Sequence, residues 1–388
     1  MKVKMNYLAR HVRDLKPSGI RKFFDATAGM TGVISLGVGE PDFVTPWPVR
    51  AAAIQSLEDG YTSYSANAGL PALREEISGY IDSYFCVPYA PESEVIVTVG
   101  ASEAIDIALR AILNPGEEVL VIEPCFVSYA PLVIMAGGVP VIVAAEAEQQ
   151  FKIRPEQLER AITDKTKAVM ICSPNNPTGA MLSKAEMEAV ASVIRKHDLL
   201  LISDEIYAEL VYDELYTSFA ALHGMRERTI LISGFSKDLA MTGWRLGFAC
   251  APKEIIEGML KIHQYAIMCA ATMAQHAALE GLKNGRKDVK AMRQSYRQRR
   301  NFIVQSLNEM GLSCPNPEGA FYTFPSIIST GMDSELFAHR LLEEEKVVVV
   351  PGNAFGESGE GYVRCSYATS MQQIREAMDR MKRFIDRL

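Results

Sequence analysis

Short runs of consecutive apolar residues alternate with helical patterns through the middle of the chain. The apolar runs predict strands at residues 95–99, 119–122, 140–145, 168–172, 199–202, 229–233 and 246–250. Strands that helices cover on both faces are continuously apolar, whereas strands with one solvated face alternate. The pattern therefore predicts an α/β fold, with a mostly parallel seven-stranded sheet and helices on both faces.

The C-terminal part of the chain follows a different pattern. Predicted strands at 320–324, 347–350 and 362–367 are separated by helical segments, which indicates a second, smaller α+β domain. Residues 286–300 hold seven basic residues and one Asp, and with Tyr296 alone as an interleaved aromatic they favour a solvated linking helix over a nucleic-acid surface.

We expect two domains. Residues 46–285 form the large domain, residues 1–45 are the N-terminal part of the small domain, and residues 286–388 comprise the linking helix and the C-terminal part of the small domain.

Composition and charge narrow the class of protein. The 388 residues include 40 Lys and Arg against 47 Asp and Glu, a net charge of −7 that argues against nucleic acid as a general partner. Seven scattered cysteines without a C-x-x-C pair argue against a disulfide framework or a zinc site, and favour a reduced cytoplasmic protein.

Two long stretches without Asp, Glu, Lys or Arg need an explanation. Residues 124–145 have the length of a membrane span, but three prolines and a Gly-Gly pair would break a spanning helix. We expect core structure there, ending in a buried strand at 140–145, and a buried helix at 262–279. No membrane association is expected.

Polar residues follow several of the predicted strands, at the edge where open α/β sheets bind ligands. Residues 100–102 open a helix whose free N–H groups suit a phosphate, although a tight turn alone would explain Gly100. Asp204 ends a strand and by itself would most often be a helix cap, and Lys237 alone would ordinarily be a solvated side chain. Their shared position, together with the loop at 173–179, predicts one ligand site.

The motifs taken together resemble the class I and II aminotransferases, which are pyridoxal-phosphate (PLP) enzymes of fold type I, and in particular their prokaryotic aspartate/aromatic subgroup. The motifs that carry the resemblance are SLGVGEPD at 35–42, SPNNPTG at 173–179, SDEIY at 203–207, SK at 236–237 with MTGWR at 241–245, and YVRCSY at 362–367. They run in the family's order over nearly the whole chain. The resemblance implies a PLP-binding large domain and transfer of an amino group between an L-amino acid and a 2-oxo acid.

The resemblance also implies roles for the residues that would meet the cofactor. Lys237 would form the Schiff base with PLP and later move the substrate Cα proton, while Asp204 would keep the pyridine nitrogen protonated. Asn176 and Tyr207 would hydrogen-bond the phenolic oxygen. Phe126 would stack on the face of the pyridine ring, although it could also be plain core. The phosphate would be held by Gly100, Ala101, Ser102, Ser236 and Arg245.

Three further positions concern the substrate and a partner subunit. Arg364 would clamp the substrate α-carboxylate by a planar two-point contact beside Gly37 and Asn176, and would otherwise be a surface ion pair. Tyr64 matches the tyrosine that reaches the phosphate of the neighbouring subunit, which implies a homodimer with shared sites.

Substrate choice stays open on the sequence. Ser102 stands where some aspartate-specific members carry Lys, which lowers the expectation of strict aspartate specificity, and Arg21 or Lys22 could meet an acidic or aromatic substrate. Aspartate, aromatic or other neutral amino acids, with 2-oxoglutarate as the acceptor, are the expected substrates. The alternatives are a PLP-dependent C–S β-lyase on the same fold and a regulatory binding protein, which is disfavoured because every catalytic position is filled.

Overall fold

The structure is a computed structural model that describes residues 7–13, 15 and 30–388. Within these ranges the helices are α1 (Arg10–Arg13), α2 (Trp47–Glu58), α3 (Pro71–Phe85), α4 (Gly100–Ile112), α5 (Tyr129–Met135), α6 (Pro155–Ala161), α7 (Lys184–Lys196), α8 (Lys253–Ala266), α9 (Thr272–Asn284), α10 (Arg286–Glu309), α11 (Ser334–Glu345) and α12 (Met371–Ile385). The strands are β1 (Ile34–Ser35), β2 (Val95–Thr98), β3 (Glu118–Glu123), β4 (Val139–Ala144), β5 (Thr166–Cys172), β6 (Leu200–Asp204), β7 (Thr229–Gly234), β8 (Gly247–Cys250), β9 (Tyr322–Thr323), β10 (Val347–Val348), β11 (Val350–Pro351) and β12 (Val363–Ser366).

The central sheet has seven strands in the order β2-β8-β7-β6-β5-β3-β4. Strand β8 is antiparallel to both of its neighbours, and all other neighbouring strands are parallel. The central strands are buried along their length, as continuous apolar runs require. The predicted α/β fold with a mostly parallel seven-stranded sheet is confirmed.

Two expectations about the uncharged stretches were wrong in part. Residues 139–144 form the strand β4, but β4 is the last strand of the sheet, and Val139 and Ile142 are each 45% exposed. Residues 262–279 form the end of α8 and most of α9 rather than one helix, with a connection at 267–271. No helix of the described residues is long and apolar enough to cross a membrane.

Two smaller sheets lie outside the central sheet, and one of them joins the two ends of the described chain. Strands β11, β12 and β9 form an antiparallel sheet, and β1 pairs in parallel with β10 through Ile34 and Val347. The predicted linking helix is present as α10, and α12 buries an apolar stripe that includes Ile374, Met378 and Met381. The boundaries 1–45, 46–285 and 286–388 stay a prediction.

Parallel strands bring several polar segments to one edge of the sheet. Strands β5 and β6 end side by side, with Cys172 opposite Asp204, and Asp204 in turn lies opposite Ile232 of β7. The segments that follow these strands carry Asn176 and Lys237. The sheet therefore places these side chains around a common space.

Candidate active site

A cavity of about 510 Å³ lies at this edge of the sheet. Eleven of the predicted site residues line it: Gly37, Ala101, Ser102, Phe126, Asn176, Asp204, Tyr207, Ser236, Lys237, Arg245 and Arg364. The structure thus gathers, in one place, residues that are up to 327 positions apart in the chain, as the hydrogen bond from Arg364 to the Gly37 carbonyl illustrates.

The amine of Lys237 has a lowered pKa in its buried position. Its Nζ donates a hydrogen bond of 2.8 Å to the Gly39 carbonyl. Burial and then the neighbouring Arg364 guanidinium lower the pKa of Lys237 to about 8, against the opposing influence of Glu40 and Asp204. An amine with this pKa is available as a neutral base near physiological pH.

The carboxylate of Asp204 is buried at the tip of β6 and held by hydrogen bonds. Its Oδ2 accepts from the Tyr129 hydroxyl at 2.6 Å, and its Oδ1 accepts from the Ile206 N–H at 3.2 Å. Burial raises the pKa of Asp204, and the hydrogen bond from Tyr129 opposes that rise. The side chain therefore has a fixed orientation as well as a tuned charge.

Arg364 is a buried cation on β12. Its Nη1 donates to the Asn176 Oδ1 at 2.9 Å and its Nη2 donates to the Gly37 carbonyl at 2.6 Å, while its Nε has no hydrogen-bond partner among the described residues. The guanidinium lies 4.4 Å from the centre of the Tyr322 ring. Burial lowers the pKa of Arg364. A buried cation with an unused donor is suited to an anionic ligand.

The start of α4, together with Arg245, provides a second group of residues that suits an anion. Helix α4 begins at Gly100, so that the free N–H groups of its first turn and the helix dipole favour negative charge there. Gly100 has φ +79°, and a Cβ atom on it would lie 2.6 Å from Nη2 of Arg245. The absent side chain lets the guanidinium approach the helix start, which is the cradle that a phosphate needs. Gly100 itself supports the wall without lining the cavity.

Two aromatic residues of the predicted site also lie in the cavity wall. Phe126 packs edge to face against Tyr129, with ring centroids 5.7 Å apart. The hydroxyl of Tyr207 is 2.9 Å from the hydroxyl of Tyr322, and Tyr207 is buried. Their rings provide apolar surface beside the polar groups.

Sequence reasoning assigned no role to nine of the residues that line the cavity, among them Gly39, Glu40, Tyr129 and Tyr322. Tyr129 and Tyr322 provide hydroxyls, Gly39 accepts from the lysine, and Glu40 is a fifth charged side chain, bonded by Thr242 at 3.1 Å. Tyr129 lies three residues after Phe126 at the same strand end, which was a usable signal. Residues 320–324 predicted only a strand, and nothing in that run distinguished Tyr322.

Tyr64, which is predicted to reach a neighbouring subunit, lies outside the cavity of its own chain. It is 81% exposed. Arg21 and Lys22 lie outside the described residues.

Among the described residues no group of three or more His, Cys, Asp or Glu could hold a metal ion, and none of the seven cysteines is in a disulfide.

The functional groups in the cavity fit those of PLP. Lys237 provides an amine that can react with an aldehyde, and Asp204 provides a buried carboxylate. Gly100 has no Cβ and so leaves room for a phosphate at the start of α4, beside the cationic side chain of Arg245. The Nε of Arg364, which no described residue engages in a hydrogen bond, leaves a donor for a substrate carboxylate.

Comparisons with known proteins agree with this chemistry. The family described as aminotransferase class I and II matches residues 31–381. The chain is 49% identical to an aspartate aminotransferase of Pyrococcus abyssi over 374 residues, 96% of each chain. It is 46% identical to aromatic-amino-acid aminotransferase 2 of Thermococcus litoralis over 381 residues, 97% of this chain and 98% of the relative.

A solved structure extends the likeness to three dimensions. The aspartate aminotransferase from Thermus thermophilus with maleate superposes with a TM-score of 0.93 at 40% identity, over 98% of this chain and 100% of that chain. The cavity, the family match and these relatives together show that the chain belongs to the class I and II aminotransferases and is a PLP-dependent enzyme of fold type I.

Proposed function

We propose that the enzyme transfers the amino group of an L-amino acid with an aspartate, aromatic or other neutral side chain to 2-oxoglutarate. The observation that carries the proposal is the amine of Lys237, with a pKa of about 8, in one cavity with the Asp204 carboxylate and the Arg364 guanidinium. A positioned base with a pKa near the working pH is what proton transfer at a substrate carbon requires.

PLP, when bound, supplies an electron-accepting ring that stabilises the electron pair left at the substrate Cα. Lys237 would hold the cofactor covalently at rest and, once displaced by the substrate amine, would carry the Cα proton. Asp204 would accept a hydrogen bond from the pyridine nitrogen and keep it protonated. Tyr207 and Asn176 would donate hydrogen bonds to the phenolic oxygen. Asn176 retains its Nδ2 donor for this purpose, because the hydrogen bond to Arg364 uses its Oδ1.

The phosphate of the cofactor would occupy the cradle at the start of α4. The backbone N–H groups of Ala101 and Ser102, the Ser236 hydroxyl and the Arg245 guanidinium would bind it. Phe126 would cover one face of the ring. These assignments rest on the family resemblance and on the shared cavity of the residues.

The substrate α-carboxylate would bind to Arg364. Its buried Nε has no hydrogen-bond partner in the described part of the chain, and an unsatisfied buried donor costs free energy that a carboxylate would recover. The Gly37 carbonyl and the Asn176 amide hold the guanidinium from the other side. A lysine at this position could not make the same planar contact.

The side-chain preference is best tested by a substrate panel. Purified PLP-loaded enzyme is incubated with L-aspartate, L-tyrosine, L-phenylalanine or L-alanine plus 2-oxoglutarate, with the D-enantiomers as matched controls, and separately with cystathionine. We expect glutamate and the corresponding 2-oxo acid in equal amounts from at least one L-amino acid. Pyruvate and ammonia from cystathionine, with no glutamate from any amino acid, would support the β-lyase and contradict the proposal.

We further propose a homodimer in which Tyr64 of each subunit reaches the phosphate in the neighbouring site. The proposal is supported by the exposure of Tyr64 and by a concentration of exposed large apolar side chains from nearby segments: Val44, Trp47, Ile54, Leu57, Tyr61, Tyr265, Ile267 and Met268. Surface of this kind is typical of an interface. The cytoplasmic location and the lack of nucleic-acid and membrane partners stay predictions.

Mixed dimers test the shared site. Subunits that carry Lys237→Ala are combined with subunits that carry Tyr64→Phe, using two affinity tags. One of the two sites then contains both the lysine and the tyrosine, so we expect its requirement for PLP to return to that of the wild type. A mixed dimer that keeps the weak PLP binding of Tyr64→Phe would contradict the sharing of sites.

A further inference from the structure

Tyr64 is exposed, but the segment that carries it is held in place by several hydrogen bonds to α9 and to the residues before it. We propose that the buried residue Gln275 is a positioning residue that acts in trans: it fixes residues 61–70, here called the Tyr64 segment, so that the tyrosine is presented to the partner's phosphate site. The inference rests on the shared site of the proposed function.

Gln275 lies on α9 and is 0% exposed. Its Oε1 accepts from the N–H of Leu70 at 2.7 Å, and its Nε2 donates to the Ser65 hydroxyl and to the Ala270 carbonyl, both at 2.9 Å. Both amide hydrogens and the amide oxygen are therefore in use. Two of the three bonds reach the Tyr64 segment, one of them to the residue directly after Tyr64.

Further contacts fix the same segment from α9 and from the connection before it. Thr272 Oγ1 donates to the Ser63 carbonyl at 2.9 Å, and Asn67 Nδ2 donates to the Met268 carbonyl at 2.8 Å. The ring of Tyr61 stacks on His276 at 4.9 Å with an angle of 26°. Hydrogen bonds to Ser63 and Ser65 therefore fix the chain on both sides of Tyr64.

Strand β2 closes the segment at its other end. The Ala68 carbonyl accepts from the Val97 N–H at 2.9 Å. Gly69 has φ +104°, and a Cβ atom there would lie 2.5 Å from a methyl carbon of Val97. The absence of a side chain at Gly69 thus permits the close approach that anchors the segment to the sheet.

A fixed backbone under an exposed ring has a physical use in binding. Ordering a flexible loop on association costs conformational entropy, and a loop already held in its bound form avoids that cost. Tyr64 is 81% exposed although the residues around it are anchored, which is the arrangement expected of a group preorganised for another molecule. The anchor would then benefit the partner's cofactor site rather than the site of its own chain.

Gln275→Met tests the anchor itself, because the side chain keeps its size and loses its hydrogen bonds. In the cofactor-free enzyme we expect faster hydrogen exchange at the amides of the Tyr64 segment. We also expect the dissociation constant for PLP, measured by equilibrium dialysis, to rise about ten-fold, the effect of a lost phosphate contact of modest strength. Unchanged exchange or unchanged PLP binding would overturn the inference.

Thr272→Val keeps the inference testable if Gln275→Met does not fold. It removes one hydroxyl that bonds the Ser63 carbonyl and leaves the size of the side chain unchanged. Thr330→Val is the matched control, because its hydroxyl bonds the Ile327 carbonyl at 2.7 Å in the C-terminal part. We expect weaker PLP binding for Thr272→Val alone; an equal effect of the two variants, or no effect of either, would overturn the inference.

Mixed dimers decide whether Gln275 acts in trans. When Gln275→Met subunits are paired with Lys237→Ala subunits, the site that keeps Lys237 receives Tyr64 from the subunit with an intact anchor. We expect the PLP concentration for half-maximal turnover at this site to return to the wild-type value. A requirement that stays about ten-fold higher would show an effect within the same chain and overturn the inference.

The mixed dimer of Tyr64→Phe with Lys237→Ala subunits shows whether a negative result concerns Gln275 or the shared site itself. If Tyr64→Phe is complemented and Gln275→Met is not, the shared site stands and the role of Gln275 is wrong. If Tyr64→Phe is not complemented either, the proposed shared site itself is wrong.

Discussion

At the scale of single residues, the site depends on ionisable groups whose charges are set by their surroundings. Lys237 is shifted toward the neutral amine by burial and by Arg364, while Asp204 has a raised pKa because of burial, which the Tyr129 hydroxyl counteracts. The hydroxyl of Tyr129 is therefore important for keeping Asp204 charged.

Replacing Tyr129 by Phe should move the pH dependence of catalysis. The variant loses the hydrogen bond of 2.6 Å that lowers the pKa of Asp204, so the carboxylate takes up its proton at a higher pH. We expect the acid limb of kcat/KM to move upward by about one pH unit, the effect of losing a hydrogen bond to a charged group. Steady-state rates across pH check this, with Tyr84→Phe, a half-exposed tyrosine whose ring packs on Arg286, as the control. An unmoved acid limb would contradict this role of Tyr129.

The motifs predicted most of the residues that line the cavity, because they sit directly after strands whose ends must converge. Glu40 lies within the motif at 35–42 but was given no role, and Tyr322 could not be found in this way. Tyr322 lies within the β9 strand of the small antiparallel sheet, and its contact with Tyr207 depends on how that sheet packs against the central one. A local sequence pattern does not predict how two distant sheets pack against each other.

At the scale of elements, the ends of the parallel strands and the start of α4 carry residues that line the cavity. Strands β5, β6 and β7 end at one edge, and Gly100 opens α4 at the same edge with a positive φ. The continuous apolar runs predicted these strands well. They could not distinguish the edge strand β4 from a central strand, because an apolar run does not reveal its position in the sheet order.

A substitution at the start of α4 should weaken cofactor binding. In Gly100→Ala the Cβ would meet Nη2 of Arg245 at 2.6 Å, and the positive φ would add strain. We expect the dissociation constant for PLP to rise roughly ten-fold or more, since displacing Arg245 removes a charge-assisted contact. Gly79→Ala is the control, because Gly79 lies within helix α3 with open space around it. Equal PLP binding by the two variants would contradict the cradle.

At the scale of the whole molecule, the site unites distant parts of the chain. Strands β1 and β10 pair, and the Gly37 carbonyl accepts from Arg364, so both ends of the described chain contribute to one cavity. The net charge of −7 gave no hint of this cationic centre, because it describes mainly the surface. A charged group at the centre must nevertheless affect the stability of the whole fold.

Raising the pH from about 8 toward 10.5 should reduce the destabilisation that Lys237 causes in the cofactor-free enzyme. Lys237 has a pKa of about 8 when folded and an ordinary value of 10.5, so between these values its amine is more protonated in the unfolded chain, and its own contribution to the free energy of unfolding rises with pH. Below pH 8 the full penalty applies, and we expect Lys237→Met to be more stable than the wild type by roughly 1–3 kcal/mol. Urea unfolding of both proteins at several pH values measures the gap. A gap that does not shrink between pH 8 and 10.5 would contradict the assigned pKa.

Amino-group transfer by Lys237→Ala, measured beside the wild type, tests whether this lysine carries the reaction. Both proteins are loaded with PLP and given the best L-amino acid of the panel with 2-oxoglutarate, and glutamate and ammonia are measured. We predict glutamate without ammonia from the wild type. For the variant we predict a loss of turnover of at least about 10²-fold, together with loss of the visible absorbance of the lysine-bound cofactor. Full turnover by Lys237→Ala would contradict the account.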